Sequence, residues 1–436
     1  MKYLNEKIKS LPKNCLFNKG KVGCGGTTMA IESDEPYVIA VPFCSLTFNK
    51  VAQYPNERYP LSILGVYEGV SVDSIKDYLS SAKTPKIIVT YDSLPKVVKA
   101  LDGKESDINL LIDEYHILFK AYAFRNEAIK NVLNLYKRFK SYMFMTATPL
   151  EDDFILEELK DINVITQTWN DDEKVNVTVK SIKCDNVIAS AVKMIKVLMN
   201  DSDGKHLYFF VNSVKAIKEI ISLAKLDNSN CRAIYSKSNT MNVGVENSST
   251  EYPPKKINFL TSTVFEGCDI YDPEGVTIIL SDSYHKNTLL DISTSVQQIC
   301  GRIRDSKYMG EIYHLYSSIN YRDVTYEQYK EHIMKLREKC SKLVTQFNNL
   351  DQETREQLVS DNNPYIIKNE NNYLEYDPNL PLVDLFNYKT LNTYTSTVTI
   401  SEEYRTNNMK LTENTDYTKI EDIRLNDGVG INKNFK

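Results

Sequence analysis

The sequence predicts an α/β protein of two tandem lobes, each a parallel sheet flanked by helices, followed by a mostly helical C-terminal extension. Three observations predict it. Short, wholly apolar runs alternate with helical patterns as far as Tyr321. Buried parallel strands read this way because helices cover both of their faces. The runs fall into two sets, split by the polar stretch QTWNDDEKVNVT (Gln167–Thr178). After Tyr321 the alternation stops and one long helical pattern replaces it.

The first set of expected strands is Tyr37–Phe43, Lys86–Thr90, Asn109–Ile112 and Tyr142–Thr146. The second is His206–Val211, Arg232–Tyr235, Ile257–Leu260, Thr277–Leu280 and Ile312–Leu315. Strands that alternate with helices imply parallel sheets. The expected domains are therefore 1–165, 166–321 and an extension over 322–436. Thr240–Lys256, polar and carrying a proline pair, reads as an exposed loop inserted in the second lobe. In the extension, Tyr326, Tyr329, Ile333, Leu336, Cys340, Leu343, Phe347 and Leu350 form a heptad-like apolar seam. Such a seam packs along the body of the protein or meets a protein partner through residues 326–350. Beyond about Asp361 the pattern weakens to a poorly defined tail.

Composition narrows the function classes. The chain has 436 residues, 42% apolar and 25% charged, which is ordinary for a globular protein. A net charge of −5 supplies no global basic field, so coating nucleic acid by bulk electrostatics is excluded. A protein gripping a few phosphates in a cleft is not. The eight cysteines include no C-x-x-C pair, which argues against a zinc knuckle and for free thiols in a reducing compartment. MKYLNEKIKSLPKN lacks a signal peptide's apolar core, and no run approaches membrane-spanning length. The expected location is cytoplasmic, in the host cytoplasm for a viral protein, with no membrane partner.

Five segments carry chemistry. LLIDEYH (Leu110–His116) ends an apolar strand in two carboxylates at a sheet edge, where open α/β sheets bind ligands. Asp113 suits a magnesium ion, and Glu114 suits orienting or deprotonating an attacking water. On its own the pair would also suit a solvated helix cap. SYMFMTATPL (Ser141–Leu150) ends a second strand in Thr146 and Thr148, hydroxyls able to couple a nucleotide site to a neighbouring cleft. GKVGCGGTT (Gly20–Thr28) approximates the phosphate-cradling pattern G-x-x-x-x-G-K-[ST]. Its Gly20, Gly23, Gly25 and Gly26 free backbone N–H groups to face phosphate. Thr27 offers a hydroxyl to the metal, with Thr28 beside it. Gly26, however, stands where the pattern has lysine. Lys19 and Lys21 are nearby, and Lys21 is the expected substitute; without one, nucleotide binds weakly or is not hydrolysed. NFLTSTVFEGCDI (Asn258–Ile270) runs from a strand through Thr261 to Gly267 and Asp269. VQQICGRIRD (Val296–Asp305) places Gln298, Gly301 and Arg302 in a Q-x-x-G-R pattern, with Arg304 one position short of the pattern's final arginine. A guanidinium here can serve as an arginine finger, by Arg304 on a turned helix or by Arg302 alone.

Together these residues resemble a superfamily 2 helicase or translocase of the DEAD/DEAH-like group. The match runs from motif I (GKVGCGGTT) through Ia (IAVPFCSLTFNK), Ib (IIVTYDSL), II (DEYH) and III (TATP) to V (TSTVFEGCDI) and VI (QQICGRIRD). Motif VI is similar to that of herpesvirus-type origin-binding helicases and related phage proteins. The offset of Lys21 is also that of the signature lysine in the deviant loops of partitioning ATPases. The resemblance implies two tandem RecA-like P-loop domains with ATP and Mg2+ held between them. It implies catalytic roles for Glu114, Gln298 and the arginines, and ribose contact near Gly267 and Asp269. Single-stranded nucleic acid, DNA ahead of RNA, would cross both lobes past Pro42, Thr90, Tyr91 and Thr261. The expected function is an ATP-dependent nucleic-acid helicase or translocase in viral or mobile-element DNA replication. The alternative is a catalytically decayed relative that binds nucleic acid, or a partner, without hydrolysis.

Overall fold

The computed structural model describes residues 3–54, 63–170, 173, 176–199, 204–236, 239–319, 324–358 and 363–412. The first sheet comprises β1 (Cys15–Asn18), β2 (Tyr37–Val41), β3 (Ile63–Val66), β4 (Lys86–Thr90), β5 (Asn109–Asp113), β6 (Ser141–Thr146) and β7 (Val164–Thr166). Its order is β3-β4-β2-β5-β6-β1-β7, and every pairing is parallel. Residues alternate between two cores: Val38, Ile87 and Leu110 face one, while Ile39, Ile88 and Leu111 face the other. That two-sided burial is why the strands read as unbroken apolar runs.

The second sheet is built on the same plan. Its strands are β8 (Thr178–Lys183), β9 (His206–Phe210), β10 (Cys231–Ile234) and β11 (Ile257–Leu260). After the short β12 (Ile270–Tyr271) come β13 (Gly275–Ser281), the short β14 (Ile303–Arg304) and β15 (Glu311–Tyr316). The order is β10-β11-β9-β13-β15-β8-β18, all parallel, where β18 (Lys410–Leu411) returns from the C-terminal extension. Strands β12 and β14 pair separately. The two lobes are thus tandem RecA-like parallel-sheet domains with a mostly helical C-terminal part. The Thr240–Lys256 loop is pinned rather than loose. Buried Arg232 donates to the carbonyls of Ser249 (3.1 Å) and Tyr252 (2.6 Å).

The extension does more than its sequence pattern conveys. Helix Tyr326–Asn348 starts at a capping box formed by Thr325 and Gln328. Ile333 of its seam lies in the first lobe's core, with Tyr326 and Tyr329 packed against that core. Cys340 and Phe347 are also buried. This chain itself therefore covers those seam positions, and the helix packs along the body as in the first of the two expected arrangements. The tail expected beyond Asp361 instead forms a hairpin of β16 (Ile366–Lys368) and β17 (Leu374–Tyr376), helices Leu380–Thr393 and Thr397–Thr406, and β18. Its sparse apolar residues are spent on long-range contacts and so leave no local period. Residues 413–436 of that tail lie outside the described residues. No described helix is long and apolar enough to cross a membrane.

Those two helices enter both lobes. Phe386 meets Phe119 (5.7 Å) and Phe154 (5.1 Å) edge-on in the first lobe. In the second, the Tyr394 hydroxyl donates to the Leu290 carbonyl (2.7 Å). Fully buried His314 sits between the Tyr404 hydroxyl (2.5 Å) and Ser281 Oγ (2.8 Å). Burial pushes the His314 imidazole down to about 3. An unfolded chain takes up this proton near pH 6.5 while the folded one refuses it, so stability falls as pH drops from about 6.5 toward 3. Urea unfolding at pH 7.5 and pH 5 should show a loss of about 2 kcal/mol from this residue. The loss should shrink in a His314→Gln variant, whose side chain does not titrate.

Candidate active site

Three adjacent strands, β5, β6 and β1, end side by side, and their C-terminal edges deliver the site. The register pairs Asp113 with Met145 and Thr146 with Asn18. The residues just past each strand therefore converge: Glu114 after β5, Thr146 at the end of β6 and Lys19 after β1. Glu114 adopts a left-handed backbone (φ 54°), as do Gly23 and Gly25 in the loop below it. A non-glycine residue in this region is uncommon and costs about 1–3 kcal/mol. Here it breaks strand alternation, so that Asp113 and Glu114 turn their carboxylates to the same loop.

The carboxylates are buried and fully engaged. Thr27 Oγ1 donates to Asp113 Oδ2 at 2.7 Å. Lys19 Nζ donates to Glu114 Oε1 at 3.1 Å and lies 3.6 Å from Asp113 Oδ1. Thr146 Oγ1 donates to Glu114 Oε2 at 3.1 Å. Burial pushes the Glu114 carboxyl up, but Lys19 and other cations hold it below its ordinary value. Burial would likewise lower the Lys19 ammonium, and the two carboxylates reverse that to raise it.

The second lobe completes the site. Gln298 Nε2 donates to Glu114 Oε2 and to Thr148 Oγ1, both at 3.0 Å. The turn before it, Ile292–Val296, is a π-helix capped by Asp291, which also receives Lys120 of the first lobe at 2.7 Å. Arg302 is 2% exposed and bonded to the Gln298 and Cys268 carbonyls, at 2.9 and 3.3 Å. Arg304 lies across the first lobe's loop. A Cβ placed on Gly23 would be 1.8 Å from its Nη2. Its Nε donates to Asp269 Oδ1 at 2.9 Å. Between the lobes is a cavity of about 420 Å³. Gly23, Gly25, Gly26, Thr27 and Thr28 line it below; Gly267, Asp269, Arg302 and Arg304 line it above.

Several expected residues are placed elsewhere. Lys21 does not line the cavity: its ammonium lies 4.8 Å from the Trp169 ring centroid. The sequence pattern gives an offset along the chain, whereas the fold sets this ammonium over a ring. Gly20 packs against Gln167 and Trp169, outside the cavity lining. Thr90 and Tyr91 are buried, and the Tyr91 hydroxyl bonds the Asp113 carbonyl at 2.5 Å. The buried Pro42 gives its carbonyl to Arg125 (2.9 Å), and Thr261 Oγ1 bonds the Ile234 carbonyl at 3.3 Å. Of these four, Tyr91 touches the site, through the backbone of Asp113. Lys50, Tyr3 and Tyr271 line the cavity without having been singled out in the sequence. Tyr3 and Tyr271 lie outside every motif, and Lys50 only closes motif Ia.

No protein-family model and no curated protein matches the chain. Solved structures do. The DEAD-box helicase Mss116, bound to ssRNA and UDP-BeF, matches 77% of this chain and 79% of its own at 13% identity, TM-score 0.51. S. cerevisiae Dbp5 bound to RNA and ADP BeF3 matches over 71% and 80% at 12% identity, TM-score 0.45. The Escherichia coli DEAH/RHA helicase HrpB matches over 69% and 40% at 14% identity, TM-score 0.42. At such identities the likeness is one of fold: this chain shares the two-domain fold of the Mss116 structure.

The contact between Gly23 and Arg304 makes a measurable prediction. Gly23→Ala adds left-handed strain and a clash, and should cost about 1–3 kcal/mol in chemical denaturation. In an Arg304→Ala background the clash is gone and the loss should be smaller.

Proposed function

We propose that the chain is a nucleoside-triphosphate-driven motor on single-stranded nucleic acid. The observation that carries this reading is the site's dependence on both lobes. Gln298 of the second lobe shares Glu114 and Thr148 with the first, and Arg304 reaches the glycine loop. Such a cleft can sense bound nucleotide and convert its hydrolysis into lobe movement.

The donor set suits magnesium. A hydroxyl and a carboxylate oxygen, Thr27 Oγ1 and Asp113 Oδ2, converge at 2.7 Å. No cluster of three or more acidic, histidine or cysteine ligands occurs among the described residues. That fits an ion bound through one or two protein oxygens, water and substrate phosphates. When bound, the ion would neutralise charge between the outer phosphates. The loop amides would hold the phosphate chain below Arg304. Glu114, ionised, would orient a water and accept its proton. The water oxygen bonds to the terminal phosphorus as the bond to the bridging oxygen breaks. The electron pair leaves with the diphosphate. Arg304 meets the charge arising in that step, while Arg302 holds Gln298 in place.

Motif VI favours DNA in viral or mobile-element replication as the setting. Gly26 favours the alternative, a binding protein without turnover. Hydrolysis assayed with single-stranded DNA, single-stranded RNA and neither separates them. A motor should be stimulated, with DNA ahead of RNA. Glu114→Gln should lower turnover by about 100-fold or more. Arg304→Ala should do so by about 1,000-fold. Retained nucleic-acid binding with no turnover would leave the alternative standing.

A further inference from the structure

Glycine at position 26 need not mean that the loop has lost its cation. A Cβ built on Gly26 would lie 2.5 Å from Sδ and 2.9 Å from Cε of Met145, and 3.6 Å from Cδ of Lys19. Met145 is completely buried in β6, so a side chain rooted at 26 would have to displace the end of this thioether within the packed core. The Lys19 stem fills part of that space from the opposite side, starting at the end of β1. Its ammonium continues beyond Gly26 to Glu114 (3.1 Å) and Asp113 (3.6 Å). Lys19 is 5% exposed, yet it lines the cavity between the lobes.

We propose that Lys19 supplies the phosphate-neutralising ammonium that Gly26 cannot carry, so that the cation of the loop has been relocated across the site rather than lost. The inference rests on the nucleotide-hydrolysing reading above. Placed between the two carboxylates and the cavity, the ammonium pairs with the carboxylates in the empty site and faces the outer phosphates in the filled one. It exchanges no proton in the step. It offsets negative charge on the phosphates and on the departing bridging oxygen. The other nearby cations are engaged differently. Lys21 lies over Trp169, and Lys50 hydrogen-bonds Gln53 at 3.0 Å. Met145, Gly26 and Lys19 then form a matched set: a long thioether fills the room that a side chain at 26 would take, and the lysine arrives from β1 instead.

The test uses the full chain with Mg2+ and a fluorescent ATP or ADP, followed for affinity and steady-state hydrolysis. Lys19→Ala should lower turnover by about 100-fold or more and reduce the preference for ATP over ADP. Lys21→Ala should stay within about twofold of the parent. Because Lys19→Ala leaves two buried carboxylates without their cation, a second variant guards against misfolding. Lys19→Ala combined with Gly26→Lys and Met145→Ala returns the ammonium by the other route and should regain at least tenfold. Parent-like turnover in Lys19→Ala, or the loss appearing in Lys50→Ala or Lys21→Ala instead, would overturn the relocation while leaving the motor reading intact. A parent chain that binds no nucleotide would overturn both.

Discussion

Two carboxylates buried side by side repel each other and forgo hydration. A fold that buries both must surround them with donors. Asp113 and Glu114 impose this requirement here, and much of the site can be read as its solution. Lys19 supplies charge, Thr27 and Thr146 supply hydroxyls, and Gln298 supplies an amide from the other lobe. The parallel order β5-β6-β1 is what brings two of those donors, Lys19 and Thr146, to one edge. The left-handed turn at Glu114 aims the second carboxylate inward, and charge-assisted hydrogen bonds offset its strain.

The same requirement joins the lobes. Glu114 Oε2 is shared between Thr146 of its own lobe and Gln298 of the other, so a change at the carboxylate is felt in both. Elsewhere the joint includes further polar contacts. Lys120 meets Asp291, and Ser45 Oγ donates to the Thr263 carbonyl at 2.9 Å. His116 Nε2 and Glu266 Oε2 face one another at 3.6 Å, neither with a hydrogen bond among the described residues. Polar interfaces between domains can part and re-form more readily than apolar ones. Gly267, whose Cβ would fall 1.9 Å from Leu46 Cδ2, marks a second close approach of the lobes beside that of Gly23 and Arg304.

Much of this was legible in the sequence. Strands buried on both faces, such as Lys86–Thr90 and Ile257–Leu260, stood out with their observed limits, because continuous burial leaves an unbroken apolar run. Strands β8 (TVKSIK) and β18 did not, since half-buried and very short strands carry weak patterns. The residues that line the cavity were mostly found through motif order. What spacing could not supply was side-chain direction. Offset along the chain favours Lys21, and only the positions of Trp169 and Met145 turn the choice to Lys19. Thr90, Tyr91 and Thr261 likewise sit at motif positions, yet their side chains turn inward. Gln298 was found by its motif, but its bond to Glu114 depends on how two lobes dock.

The C-terminal helices also set an order of events for the chain as it is made. The first lobe's sheet is complete once Thr166 has emerged, yet Leu382, Leu385 and Phe386 are part of its core. The second lobe waits in the same way for Tyr394, Ile400, Tyr404 and the edge strand β18. At roughly 5–20 residues per second, the first lobe must hold an open apolar face for on the order of ten seconds or more during translation. Neither lobe can finish folding well ahead of the other. The late segment therefore closes both cores nearly together.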